Sequence, residues 1–386
     1  MPKERNFLSP RTLFGNGSVS QIGTELNKLG VENVTIITTE AFVKNGATKK
    51  IENLLEVKNL KSSVFADVEP EPSVTTAERA LDFLKSKNSD SVIGLGGGSA
   101  MDVAKAVSVG ATNNGIRNAV GINKVQNFGI PHVLIPTTAG TGSEATNVAV
   151  LTDQSNKKVV IYSNNLFPTI AIVDPKLTMT APRDVTAHTG MDALTHAIEA
   201  YLSVNSSHMS DATATKALEL TSNNLVLAYN EPSNAVARYN MSLAALLGGM
   251  SITNAGVEMD GCPIAGAGIA HAVGLATGTI YKLPHGLSVG MVLPSAMEFL
   301  KEQQNERLAN IAEAMGEEKD AGKAIKKIES MMASIGIQRK LSDYGKDGKA
   351  NLSELVDQSM SAKRLLLNLP KEITREQMQS IIESIF

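Results

Sequence analysis

The apolar run SVIGL at 91–95 passes directly into GGGSAMD at 96–102, and a helical pattern follows. A strand that turns through three glycines into a helix is a βα junction, and it commits this part of the chain to a parallel sheet covered by helices. The neighbouring segments repeat the alternation. Residues 34–39 and 62–66 read as short strands, and residues 75–87 as a helix with apolar positions at Ala77, Ala80, Leu81 and Leu84. Residues 132–136 and 169–174 add further strands. Glycines let a backbone approach a ligand closely, and a helix start presents free N–H groups. Gly96, Gly97, Gly98 and Ser99 therefore read as a pyrophosphate cradle, although a tight turn without ligand fits them equally well and a GxGxxG fingerprint is absent. Ser99 and Asp102 have the spacing of a capping box.

A second polar cluster, TTAGTGSE at 137–144, follows the strand at 132–136. Hydroxyls and glycines at the carboxyl end of a strand are what a nucleotide site in an open α/β sheet needs. Lys158 by itself reads as a solvated hairpin charge. From Pro182 onward helical periodicity replaces strand signals. The expected organisation is an α/β dinucleotide-binding domain over 1–180 and an all-helical metal-binding and substrate domain over 181–386. Two domains also suit a chain of 386 residues. Residues 254–270, rich in Gly and Ala, read as a flexible loop over a pocket or a compact surface excursion.

The helical half carries a second chemical signal. Asp192 and His196 stand four residues apart on a segment that reads as helix, so they share a face. His271 and His285 lie downstream in Gly-flanked contexts. One carboxylate and three imidazoles make a plausible shell for one divalent metal, Fe(II) or Zn(II). For each histidine alone, a satisfied core position is the commoner outcome. His132 and His208 read as structural or surface residues, and His188 as a helix-start residue.

Charge and composition exclude other classes. With 36 Lys+Arg against 39 Asp+Glu and a net charge of -3, nothing in bulk favours nucleic acid or an anionic membrane. The single cysteine, Cys262, excludes an internal disulfide framework and reads as an inert small residue. The N-terminus is polar, no apolar run is long enough to span a membrane, and a cytoplasmic protein is expected.

The motifs LGGGSAMDVAK (95–105), PTTAGTGSEAT (136–146), IVDPKL (172–177), TGMDALTHAIEAY (189–201) and LPHGLSVGMVLP (283–294) resemble those of the iron-containing, or group III, alcohol dehydrogenases. The resemblance covers essentially the whole chain. It implies an N-terminal α/β dinucleotide-binding domain and an all-α C-terminal domain of the dehydroquinate synthase-like type, with the site between them. It implies Asp192, His196, His271 and His285 as metal ligands, catalytic through the metal. It further implies cofactor contacts from Gly97, Gly98 and Ser99, from Thr137, Thr138, Thr141 and Asn147, and from Lys158, which then reads as a ribose contact. Thr39, Gly96 and Asp102 join this cofactor set.

Three departures from the family pattern stand out. Many relatives carry a proton-relaying histidine where this chain has Leu275. The segment from 254 to 271 is longer than usual. Where NAD-preferring relatives often have Asp, this chain has Thr39 followed by Glu40, and Pro70-Glu71-Pro72 replaces a proline-Asn-proline turn. NAD(H) is favoured over NADP(H). The expected reaction is hydride transfer between this cofactor and a short aldehyde or primary alcohol, of the lactaldehyde, 3-hydroxypropionaldehyde or sulfoacetaldehyde type. The alternatives are a lyase-type member of the fold that uses NAD transiently and a catalytically silent nucleotide-binding protein. A homodimer or higher homo-oligomer is expected.

Overall fold

The computed structural model describes residues 6–155, 157–347 and 349–386. The first five residues of the polar N-terminus lie outside the described residues. Six parallel strands form the main sheet in the order Thr12–Phe14, Ile170–Val173, His132–Pro136, Ser91–Gly96, Asn33–Ile37 and Lys61–Phe65. The short edge strand Thr12–Phe14 carries no sequence signal strong enough to have been expected. Ser91–Gly96 is buried at every position because helices cover both faces. The period of two decides which core each side chain joins. Ile37, Val92 and Leu134 pack on one face, whereas Ile36, Ile93, Val133 and Ile135 pack on the other.

The chain leaves Asn33–Ile37 toward the edge strand Lys61–Phe65, but leaves the adjacent Ser91–Gly96 toward His132–Pro136 on the other side. That reversal opens a crevice at the carboxyl ends of the two strands, the usual ligand position in an open α/β sheet. The Thr38 hydroxyl donates to the Leu95 carbonyl at 2.8 Å and fastens the crevice floor. A smaller sheet pairs Val148–Thr152 antiparallel with Lys158–Tyr162, which pairs in turn with Gly121–Ile122.

After Pro182 the long helices Arg183–Leu202, His208–Asn230, Ala235–Asn254, Ile269–Tyr281 and His285–Ala314 gather around one apolar core. The helix Ala235–Asn254 reaches the sheet domain through glycine. Gly142 adopts the left-handed φ of 56°, and a Cβ on it would lie 2.5 Å from the Ala245 carbonyl. A Cβ on Gly249 would collide with the Gly142 backbone. Only glycines permit this approach, which docks the helical half on the polar loop 137–146.

Residues 254–270 are neither a flexible loop nor a mere surface excursion. Glu258–Met259 and Cys262–Pro263 form a hairpin closed by Asp260 and Gly261, both at positive φ. Asp-Gly is the usual solution for such a two-residue turn, and that signal was present in the sequence. The hairpin packs Cys262 and Ile264 against Tyr162 of the small sheet. The Asn368 amide donates to the Ala265 and Ala267 carbonyls at 3.0 and 2.8 Å, so the segment is an ordered wall. Burial pushes the Cys262 thiol up to about 11, in keeping with an inert thiol. Among the described residues, no helix is long and apolar enough to cross a membrane.

Candidate active site

The helix Arg183–Leu202 places Asp192 and His196 one turn apart, and both are buried. His271 lies in the first turn of Ile269–Tyr281 and His285 opens the helix His285–Ala314. Their Nε2 atoms converge on one oxygen. Asp192 Oδ1 lies 3.5 Å from His285 Nε2, 3.8 Å from His196 Nε2 and 4.0 Å from His271 Nε2. These separations exceed those of good hydrogen bonds. Among the described residues, Asp192 Oδ1 and His271 Nε2 are buried without any hydrogen-bond partner.

Buried polar atoms are ordinarily paired, and a divalent cation would satisfy this set together. Among the described residues, Asp192, His271 and His285 offer donor atoms that all lie within 4.8 Å of one another. Burial lowers His196 to about 4, so its ring is neutral at pH 7 and keeps a lone pair for a metal. Burial pushes Asp192 upward, but the surrounding imidazoles leave it below the usual carboxylate range.

Glu199 was not singled out from the sequence, although it shares the Asp192 and His196 face at three and seven residues' distance. It is 7% exposed, and its carboxylate accepts from His271 Nδ1 at 2.6 Å, Gly268 N at 2.8 Å and Ala270 N at 2.6 Å. With the proton on Nδ1, the His271 lone pair is directed from Nε2. Burial pulls His271 down, yet Glu199 and Asp192 hold it above its ordinary value. Glu199→Ala is expected to weaken metal binding by about 10–100-fold, read as metal retained during chelator titration. Glu199→Gln is expected to lose less, and unchanged retention in both variants would remove the positioning role.

The two glycine-and-hydroxyl clusters meet. A Cβ on Gly98 would lie 3.0 Å from Thr141 Cγ2, and one on Gly97 would lie 3.4 Å from Thr138 Oγ1. Ser99 and Asp102 form no capping box. The helix Gly98–Thr112 is preceded by Gly97 without a side-chain cap, and Asp102 accepts from Ser143 Oγ at 2.7 Å and Val150 N at 3.0 Å. Two loop partners outcompete the local cap.

Fully buried Lys105 completes this joint by donating to Ser143 Oγ, Thr146 Oγ1 and the Val148 carbonyl at 2.9, 2.8 and 2.8 Å. Burial lowers its ammonium only to about 8, so it stays charged at neutral pH.

One cleft is lined by Gly98, Ser99, Asp102, Thr141 and Lys158 together with Asp192, His196, His271 and His285. Lys158 is not a solvated charge: its Nζ lies 3.3 Å from Glu71 and 3.1 Å from Thr152 Oγ1.

The remaining cofactor-set residues are placed behind or beside the lining. Gly96 and Gly97 form the turn, Thr137 N donates to the Gly96 carbonyl at 2.9 Å, and Thr138 backs Gly97. Thr39 precedes the helix Glu40–Lys44 at the end of the neighbouring strand. Asn147 is the exception. Its amide points to the hairpin, donating to the Pro263 carbonyl at 3.0 Å, and it is absent from the cleft lining.

The other histidines take structural places. His132 is buried against Ser108 Oγ at 3.0 Å, and burial lowers it to about 4. Its neutral form contributes stability that is present above about 6.5 and lost as pH falls through 4. His208 begins its helix, while His188 lies in the second turn of the Asp192 helix and not at its start. Tyr162 and Arg364 also line the cleft. Neither was expected, because nothing in their local sequence connects them to the metal ligands.

Residues 9–175 match the family model "Iron-containing alcohol dehydrogenase", and residues 186–386 match "Fe-containing alcohol dehydrogenase family, C-terminal". The chain is 35% identical to long-chain-alcohol dehydrogenase 1 of Geobacillus thermodenitrificans (strain NG80-2), over 100% of this chain and 98% of that protein. It superposes on the crystal structure of a 1,3-propanediol oxidoreductase with a TM-score of 0.93 at 32% identity, covering 100% of both chains. It also superposes on the sulfoacetaldehyde reductase of Bifidobacterium kashiwanohense in complex with NAD+, with a TM-score of 0.89 at 30% identity, covering 100% of this chain and 99% of that one.

Proposed function

The chain belongs to the iron-containing alcohol dehydrogenases, and from that membership we propose that it is a cytoplasmic aldehyde reductase and alcohol dehydrogenase acting on short substrates with a second polar group. The observation that carries this reading is the meeting in one cleft of four metal-type donor residues, with Asp192 Oδ1 and His271 Nε2 buried and unpartnered, and the Gly98–Thr141 cradle. When bound to Asp192, His196, His271 and His285, a divalent metal supplies Lewis acidity for the negative charge on a carbonyl or alkoxide oxygen. A nicotinamide cofactor supplies or accepts the hydride.

The chain's own residues hold and shield the reactants. The start of the helix Gly98–Thr112 offers unbonded N–H groups to a pyrophosphate. Thr141, Ser143 and Thr146 line the same cleft, and Lys158 of that lining would contact the cofactor ribose. Ile252, Ala267 and Leu275 form an apolar wall that keeps water from the reacting carbon. Leu275 has no titratable atom, so the proton on the substrate oxygen moves through another group or through water.

Glu40 supports NAD(H). It follows the strand at the crevice, and its pairing with Lys44 keeps its carboxyl below the usual range and ionised. A carboxylate there repels a 2′-phosphate. In NADH-oxidation assays over short aldehydes with Fe(II) or Zn(II), NADH is expected to exceed NADPH in kcat/KM by about tenfold or more. Absence of turnover on every aldehyde with either metal would refute the reductase reading. Among the described residues, the strand Thr12–Phe14 has one hydrogen-bonded neighbour in the sheet. Such an open edge supports a homodimer or larger assembly, which sedimentation of the metal-loaded protein tests by returning more than one chain's mass.

A further inference from the structure

The cleft has two long cations in its lining, Lys158 and Arg364, and their surroundings differ. Lys158 faces Glu71 at 3.3 Å. Arg364, from the short helix Lys363–Leu366, is only partly exposed and makes no ion pair among the described residues. Its Nε is buried without a hydrogen-bond partner. A guanidinium stays protonated at any working pH, and a sheltered charge is unfavourable unless paired. A cation held this way is built for a counter-charge that arrives with a ligand.

Its place in the cleft is fixed by packing. Leu365 shares an apolar cluster with Ile252, Ala267 and Leu275, and Leu275 stands one helical turn beyond His271. The residue next to Arg364 is therefore anchored on the wall that carries Leu275, and Arg364 lines the cleft that holds the four candidate metal ligands. Next to it is the buried Tyr162 hydroxyl. Burial raises that phenol and the neighbouring guanidinium opposes the rise, leaving a protonated donor at neutral pH. The hairpin around Cys262 packs on Tyr162, so the longer segment noted in the sequence buttresses this corner.

We propose that Arg364, with the Tyr162 hydroxyl, receives an anionic oxyacid group carried by a short aldehyde at the end remote from its carbonyl. Carboxylate, sulfonate and phosphonate share the required chemistry: several acceptor oxygens that a planar guanidinium engages through two N–H donors. The proposal rests on the aldehyde-reductase reading and narrows its substrate class. A neutral aldehyde leaves the guanidinium without a counter-charge, which supplies selectivity as well as affinity.

The test compares kcat/KM with NADH for sulfoacetaldehyde, succinic semialdehyde, phosphonoacetaldehyde and butanal in the wild type, Arg364→Met and Arg364→Lys. One anionic aldehyde is expected to exceed butanal by about 100-fold in the wild type. That ratio should approach one in Arg364→Met, mostly through KM, and be intermediate in Arg364→Lys. The three anionic arms identify which oxyacid is taken. Calorimetric binding of ethanesulfonate, propionate and ethylphosphonate to the NAD+-loaded protein needs no turnover, and should weaken at least about tenfold in Arg364→Met.

Preference for butanal in the wild type, or a ratio and anion binding that survive in Arg364→Met, overturns the inference and leaves the reductase standing. Arg364-dependent anion binding without NADH oxidation on any aldehyde instead overturns the reductase reading while the anion subsite stands. Neither anion binding nor turnover overturns both.

Discussion

Asp192→Ala is expected to remove stoichiometric metal and to lower kcat/KM by about 10³-fold or more. Asp192 is the one anion among the four proposed ligands, and its Oδ1 is the atom on which three imidazoles converge at 3.5 to 4.0 Å. Without it a divalent cation would have to be held by neutral donors alone in a buried place. His271→Ala should act similarly, because Glu199 prepares that ring through the 2.6 Å bond to Nδ1. Elemental analysis of purified variants and NADH turnover after reconstitution with Fe(II) are the measurements. Wild-type activity that persists after complete demetallation would sink the metal role.

The candidate metal centre was half legible in the sequence for a physical reason. Asp192 and His196 are one helical turn apart, and helical periodicity alone puts them on one face. Glu199 lies on the same face and was equally available to that reasoning, but a carboxylate near the end of a helix reads as a solvated charge until its partners are known. His271 and His285 come from other helices, and no local spacing brings distant segments together, so residue chemistry grouped them only as a candidate shell and the family resemblance implied that they meet.

The strand pattern was readable because Ser91–Gly96 and its neighbours are buried on both faces, which writes continuous apolar runs into the chain. Thr12–Phe14 is a three-residue edge strand with intermediate burial, too short to leave such a pattern. Arg364 shows the limit most clearly. Its environment depends on Tyr162, Leu275 and the hairpin at 258–263, three segments far from it in sequence.

Lys105→Met is expected to cost about 3–5 kcal/mol of stability, because it removes one member of a buried charged network and strands the rest. Lys105 is fully buried, and its three N–H donors satisfy Ser143 Oγ, Thr146 Oγ1 and the Val148 carbonyl. Its Nζ is also 3.9 Å from Asp102, whose carboxylate burial already pushes upward. Methionine fills much of the volume but leaves those acceptors unpaired and removes the charge that offsets Asp102. A fall in Tm on the order of 10 °C follows, and a Tm within about 2 °C of wild type would contradict the network's role.

The functional signature should be the opposite of that for Asp192→Ala. Lys105 ties the helix after the glycine turn to the loop at 137–146, and it hydrogen-bonds none of the four proposed metal ligands. The folded variant should keep its metal while the KM for NADH rises, because the loop carrying Thr141 loses the bonds that Lys105 donates to its Ser143 and Thr146. Loss of metal in Lys105→Met with an unchanged KM for NADH would mean that the buried lysine supports the helical half, contrary to its contacts.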